Sequence, residues 1–86
     1  MQVLSTKRFR QDLIRLGAAD SKKVAKKIQQ LSLFPKSPQL NIKKMKNKND
    51  IFRLRVGDIR VLFSYDKKRQ MLILTQAKYR GSIYKD

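Results

Sequence analysis

Between Ile51 and Tyr65 the hydrophobic residues recur at every second position, and the run is broken once, at Gly57-Asp58. Phe52, Leu54 and Val56 alternate with Arg53 and Arg55; past the break, Ile59, Val61, Phe63 and Tyr65 alternate with Arg60, Leu62 and Ser64. Period-two alternation marks half-buried strands, and a Gly-Asp pair between two such runs makes a turn. The segment is therefore expected to be an antiparallel hairpin with one face on a core. The remaining sequence has to supply the cover for that face.

The first third supplies it. Met1 to Leu4 is short and mildly apolar, an expected first strand, and Ser5 and Thr6 are placed to cap a helix beginning at Lys7. From Lys7 to Leu16, Phe9, Leu13 and Leu16 recur at helical spacing, and Gly17 is a natural stop. A second helix is expected after Asp20 as its N-cap, with Val24, Ile28 and Leu31 on one face and lysines on the other, ended by Phe34-Pro35. The short connection makes the two an antiparallel helical hairpin. Lys36 to Asp50 is irregular and lysine-rich; Leu40 to Met45 is an expected edge strand whose lysines discourage pairing with other chains. Met71 to Ala77 is nearly apolar throughout, as for a strand covered on both faces. The expected fold class is α+β: an N-terminal strand and helical hairpin packed on a small, mostly antiparallel sheet, with residues 1–86 forming a single domain.

The charge balance says what such a domain meets. Lys and Arg number 22 against 6 Asp and Glu, a net charge of +16. Self-repulsion of this size costs stability and points to a polyanionic partner. Cysteine and histidine are both absent, which removes disulfides, thiolate nucleophiles, zinc-thiolate sites and the usual general base. All six acids are aspartates: Asp20, Asp50, Asp58, Asp66 and Asp86 fall at expected caps, turns or the end, and only Asp12 is mid-element. A paired-carboxylate hydrolase or a carboxylate metal site does not fit that placement, and no cofactor is expected. No apolar run approaches the ~20 residues of a membrane span, and the opening MQVLSTKRFR is not a signal peptide. The expected setting is soluble and cytoplasmic, with no membrane partner.

The hairpin allows a sharper inference. A tight turn at Gly57-Asp58 puts Arg55 opposite Arg60 and Leu54 opposite Val61, so Arg53, Arg55 and Arg60 gather on the face away from the core. Like charges directly opposite each other destabilise a sheet, and an external phosphate is the natural compensation. Lysines abound elsewhere, yet this hairpin uses only arginine, whose fork grips phosphate oxygens in pairs. A solvated sheet face with basic residues is the plainer alternative. The ending Lys78-Tyr79-Arg80-Gly81-Ser82-Ile83-Tyr84 adds two tyrosines beside cations, suited to unstacked bases and phosphates, or equally to a last strand whose Tyr84 packs on the sheet.

The run Ile51-Phe52-Arg53-Leu54-Arg55-Val56-Gly57-Asp58-Ile59-Arg60-Val61-Leu62-Phe63 resembles the "YRLRVGDYRVIY" core of the RelE/ParE toxin superfamily, in particular its RelE-like branch. Lys43-Lys44-Met45-Lys46 is similar to the "KKLKG" that precedes that core, and Tyr79-Arg80-Gly81-Ser82-Ile83-Tyr84 to the "HRSEVY" tail or the archaeal "PRGRAYK" ending. The resemblance covers essentially the whole chain. It implies the toxin of a type II toxin–antitoxin pair, a ribosome-dependent endoribonuclease that cuts mRNA in the A site without a metal, by attack of a 2′-hydroxyl on the adjacent phosphorus. Carried over by position, Arg53 and Arg55 match two basic strand residues, one helping to deprotonate the 2′-hydroxyl. Arg60 matches the arginine on the scissile phosphate, Lys78 or Arg80 the cation at the leaving oxygen, and Tyr84 the tail tyrosine that orients the base. Arg53, Arg55, Arg60, Arg80 and Tyr84 are thus the candidate catalytic set, and Lys44, Lys46, Lys78 and Tyr79 the candidate substrate contacts. Tyr79 stands where the family commonly has histidine, and Ser82 where it has glutamate. The implied partners are an antitoxin with an acidic toxin-binding segment, mRNA and the ribosome. Two other functions remain open at this level: inhibition of DNA gyrase, as in the ParE-like branch, and a non-catalytic basic RNA-binding module.

Overall fold

The computed structural model of the chain describes residues 1–45 and 50–79. Its elements run β1 (Gln2–Ser5), α1 (Lys7–Leu16), α2 (Ala18–Leu33), β2 (Asn41–Lys44), β3 (Ile51–Val56), β4 (Ile59–Asp66) and β5 (Met71–Tyr79). The five strands form one sheet in the order β1-β5-β4-β3-β2, with β1 parallel to β5 and the other neighbours antiparallel. The α+β expectation holds, with a parallel edge that periodicity does not reveal.

Thr6 caps α1: its Oγ1 accepts from the Phe9 N–H at 3.1 Å, satisfying one of the donors a helix start leaves open. Gly17 alone joins the two helices, at φ 89° and ψ 167°, a backbone region almost confined to glycine. The second helix therefore starts at Ala18, and Asp20 is not its N-cap. It lies in the first turn, where a carboxylate still complements the helix dipole. Phe34 closes α2 through its N–H to the Gln30 carbonyl at 2.8 Å, as the Phe34-Pro35 stop predicts.

The core lies between the helix pair and one face of the sheet. Phe9, Leu16, Val24 and Leu31 meet Leu54, Val56, Ile59, Val61, Phe63, Leu72, Leu74 and Ala77 there, all buried. Each of the Val, Leu, Ile and Phe side chains among them contributes roughly 1.5–3 kcal/mol of transfer free energy. Phe52 stacks on its cross-strand partner Phe63, with centroids 5.6 Å apart.

One strand departs from its expected environment. β5 is covered by helices on one face only; Met71 and Ile73 are half-buried on the other. A bulge sorts its residues: Leu62 pairs with Gln76 and Phe63 with Leu74, leaving Thr75 as the extra residue. This is why Leu74 and Ala77, three positions apart, both point into the core. The bulge is pinned from both sides. Thr75 Oγ1 donates to the Leu62 carbonyl at 3.0 Å, and the Thr75 carbonyl accepts from Thr6 Oγ1 at 3.1 Å.

Candidate functional site

The Gly57-Asp58 turn fixes the β3–β4 register as the sequence implies. Val56 faces Ile59, Arg55 faces Arg60 and Leu54 faces Val61. Extending that register outward gives two rows on the face away from the helices. Asn41, Arg55, Arg60 and Lys78 form one; Lys43, Arg53, Leu62 and Gln76 form the next. Neighbouring strands lie about 4.7–4.9 Å apart, and rows two residues apart are separated by roughly 6.5–7 Å. Five cations from four strands thus share a patch small enough for one phosphodiester and its neighbours.

Their exposure grades across the patch. Arg60, on the central strand, is only 7% exposed, whereas Arg55 and Lys43 are exposed and Arg53 and Lys78 intermediate. Leu62, beside Arg60 on this face, is 4% exposed. Arg60 is therefore held by its surroundings, in a place where charge is screened less than on the rim. Arg55 Nε donates to the Gly57 carbonyl at 3.5 Å, drawing its side chain toward the hairpin tip. The Thr75 bulge places Lys78 opposite Arg60, which assigns Lys78 to the cationic face.

Two expected substrate contacts fall elsewhere. Lys44 pairs with Phe52, so it sits on the helix-covered side of β2, and Lys43 takes the position beside Arg53. Tyr79 pairs with Ile59 on the core side; its hydroxyl donates to Asp20 and lies 3.1 Å from the Leu16 carbonyl. That phenol is a strap between β5 and the start of α2. Its pKa is raised from the ordinary value of 10.0, chiefly by the hydrogen bond to Asp20 and then by desolvation and the carboxylate's charge. Strand parity decides both cases, and it becomes readable only once the β2–β3 pairing and the bulge are known. Lys46, Arg80 and Tyr84 lie outside the described residues.

Asp12 is the residue sequence reasoning passed over. It is 2% exposed; one oxygen accepts from the Ala77 N–H at 3.0 Å, and the other lies 3.5 Å from Arg8 Nε and 3.8 Å from an Arg15 nitrogen. Its place midway along α1, away from caps and turns, was the one available signal. Its role is to hold β5 one residue before Lys78. Among the described residues, no helix is long and apolar enough to cross a membrane.

No protein-family model and no curated protein matches this sequence. Solved structures do match. The RelB–RelE antitoxin–toxin complex from Methanococcus jannaschii aligns with 25% identity over 95% of this chain and 95% of that one, at a TM-score of 0.79. The archaeal RelE–RelB complex from Pyrococcus horikoshii OT3 aligns with 24% identity over 93% and 94%, at 0.78. A YoeB/ParE toxin from Agrobacterium tumefaciens aligns with 17% identity over 92% and 98%, at 0.76. Over nearly its whole length, therefore, this chain has the fold of these RelE-like toxin structures.

Proposed function

We propose that this chain is the toxin of a type II toxin–antitoxin pair, acting in the cytoplasm as an endoribonuclease on mRNA in the ribosomal A site. The observation that carries this reading is the cationic face: Arg53, Arg55, Arg60, Lys43 and Lys78 in two adjacent rows, with Arg60 nearly buried at the centre. Such a face suits a phosphodiester whose negative charge grows during reaction. In the proposed step the 2′-oxygen attacks the adjacent phosphorus in line and the bond to the 5′-oxygen breaks. A cyclic phosphate and a 5′-hydroxyl result, water taking the proton of the 2′-hydroxyl and returning one to the 5′-oxygen. Arg60 would hold the non-bridging oxygens, and preorganised cations of this kind are worth most where water is excluded. Lys78 would assist at the leaving oxygen, with Arg80 its alternative by resemblance. Tyr84, also by resemblance, would orient the base.

Arg53 and Arg55 are poor bases, since a guanidinium loses its proton only above a pKa of ~12. They act in this reading by charge and position, with the ribosome supplying much of the geometry. Cutting of free RNA should accordingly be feeble. The partner on the other side of the pair is an antitoxin with an acidic segment, in keeping with the RelB-bound neighbours.

Primer extension on mRNA in a purified translation system, with and without ribosomes, tests this. Cuts within the A-site codon that need both the ribosome and Arg60 are expected. Growth arrest in cells without such cuts would move the target to DNA gyrase, and absence of both would leave a binding module.

A further inference from the structure

The basic surface does not stop at the strands. On α2, Lys23, Lys26 and Lys27 share one helix face, and with Gln30 they line a cleft of about 340 Å³ whose other wall is Val56 and Gly57. Lys23 and Lys26 are exposed and Lys27 partly buried. Like charges at three- and four-residue spacing destabilise a helix, so their grouping favours an anion from outside. Asp20 approaches Lys23 at 3.9 Å, but it also accepts the Tyr79 hydroxyl.

Gly57 is where this cleft meets the cationic face. It lines the cleft, and on the other side its carbonyl accepts from Arg55 Nε at 3.5 Å. A Cβ added at Gly57 would meet nothing within 4 Å, so the backbone is open at that residue, with Asp58 the neighbouring side chain of the turn. The two sets of cations differ in kind. Arginine forks crowd the sheet face, while the cleft offers lysines, point charges that hold a phosphate without reading a base.

We propose that single-stranded RNA lying across the arginine face continues around the Gly57 tip and places its flanking phosphates in the Lys23, Lys26 and Lys27 cleft. The cleft is then a subsite for nucleotides beyond the cut, sequence-tolerant and electrostatic. This rests on the RNA reading above and adds the path the strand takes.

Non-cleavable 2′-O-methyl RNAs of roughly 4 and roughly 12 nucleotides, spanning the usual range of single-strand site sizes, test it by fluorescence anisotropy over a salt series. The triple variant Lys23→Gln, Lys26→Gln, Lys27→Gln is compared with a charge-matched control, Lys36→Gln, Lys67→Gln, Lys68→Gln. For the longer RNA the first triple is expected to lower affinity about ten- to a hundredfold at about 0.1 M salt and the salt slope by about 2. The shorter RNA should change by no more than about twofold, the local field of three distant charges being screened. Equal losses on both lengths, or a triple no weaker than the control, overturn the track. Loss of antitoxin binding without loss of RNA binding also overturns it and gives the cleft to the antitoxin. Arg55→Ala reads the sheet face separately through the shorter RNA. If that binding ignores Arg55 while the lysine effect persists, RNA sits in the cleft alone and the continuous path fails.

Discussion

The Asp12 carboxylate on α1 accepts the backbone N–H of Ala77 on β5 at 3.0 Å, across 65 residues of sequence. β1 ends at Ser5, opposite Leu74; beyond that point, among the described residues, the edge of β5 has no strand to bond, and Asp12 takes the strand's place. Replacing it with alanine leaves a buried donor without a partner. Asp12→Ala is expected to cost about 2 kcal/mol, the usual range for a hydrogen bond to a charged group. Asp12→Asn, which keeps an acceptor, should cost about half that. Urea unfolding checks both, and equal losses would mean that charge on Arg8 and Arg15 matters more than the bond to Ala77.

Tyr79 makes a pH-dependent strap. Its pKa is raised above the ordinary tyrosine value by its bond to Asp20, so folding favours the protonated phenol. The contribution is fully present below the unfolded value of about 10 and is lost as pH rises through the higher folded value. Wild type should therefore melt above Tyr79→Phe at neutral pH, and the gap should close on the alkaline side. A gap that is constant with pH would show that the hydroxyl's bond to Asp20 contributes nothing.

How much of the fold and site was legible depended on what pins each strand. The β3–β4 register could be read because a tight turn at Gly57-Asp58 leaves one pairing, and with it came Arg55 opposite Arg60. β2 has no such turn; its parity against β3 decides between Lys43 and Lys44, and the sequence favours neither. On β5, nearly continuous apolarity hid the bulge at Thr75, one of whose two pins is a hydroxyl on Thr6 at the far end of the chain. Both ends of α1 and the end of α2 were legible because Thr6, Gly17 and Pro35 act locally, whereas α2 starts three residues earlier than expected, with Gly17 and not Asp20 before its first turn. Asp12 was missed for the opposite reason: its partner is a backbone N–H, which carries no side-chain signal.

The single-residue joint at Gly17 carries its own prediction. At φ 89° and ψ 167° an L side chain is strained, although an added Cβ would touch nothing within 4 Å. Gly17→Ala should therefore destabilise by about 1–3 kcal/mol through backbone strain alone. A thermal or urea melt reads it, and a neutral result would mean that the helix pair re-angles at little cost, since no clash exists to be relieved.

Arg60 separates chemistry from mere attraction. Among the described cations of the sheet face, Arg60 alone is nearly buried, at 7% exposure, in the middle of the patch. A charge so held should act on the transition state more than on binding, whereas exposed Arg55 is screened and should act mainly on binding. Arg60→Ala is expected to lower single-turnover cleavage on mRNA-programmed ribosomes by about 10²–10³-fold, the loss typical for a preorganised stabilising group. Ribosome affinity should fall far less, and the antitoxin complex should survive. Arg60→Lys, which keeps charge but not the fork, should recover part of the rate and guards against a folding artefact. Arg55→Ala should show the reverse split, a weaker KM with a smaller change in kcat. Cutting by Arg60→Ala at the wild-type rate would remove Arg60 from the phosphate and leave the face as a docking surface only.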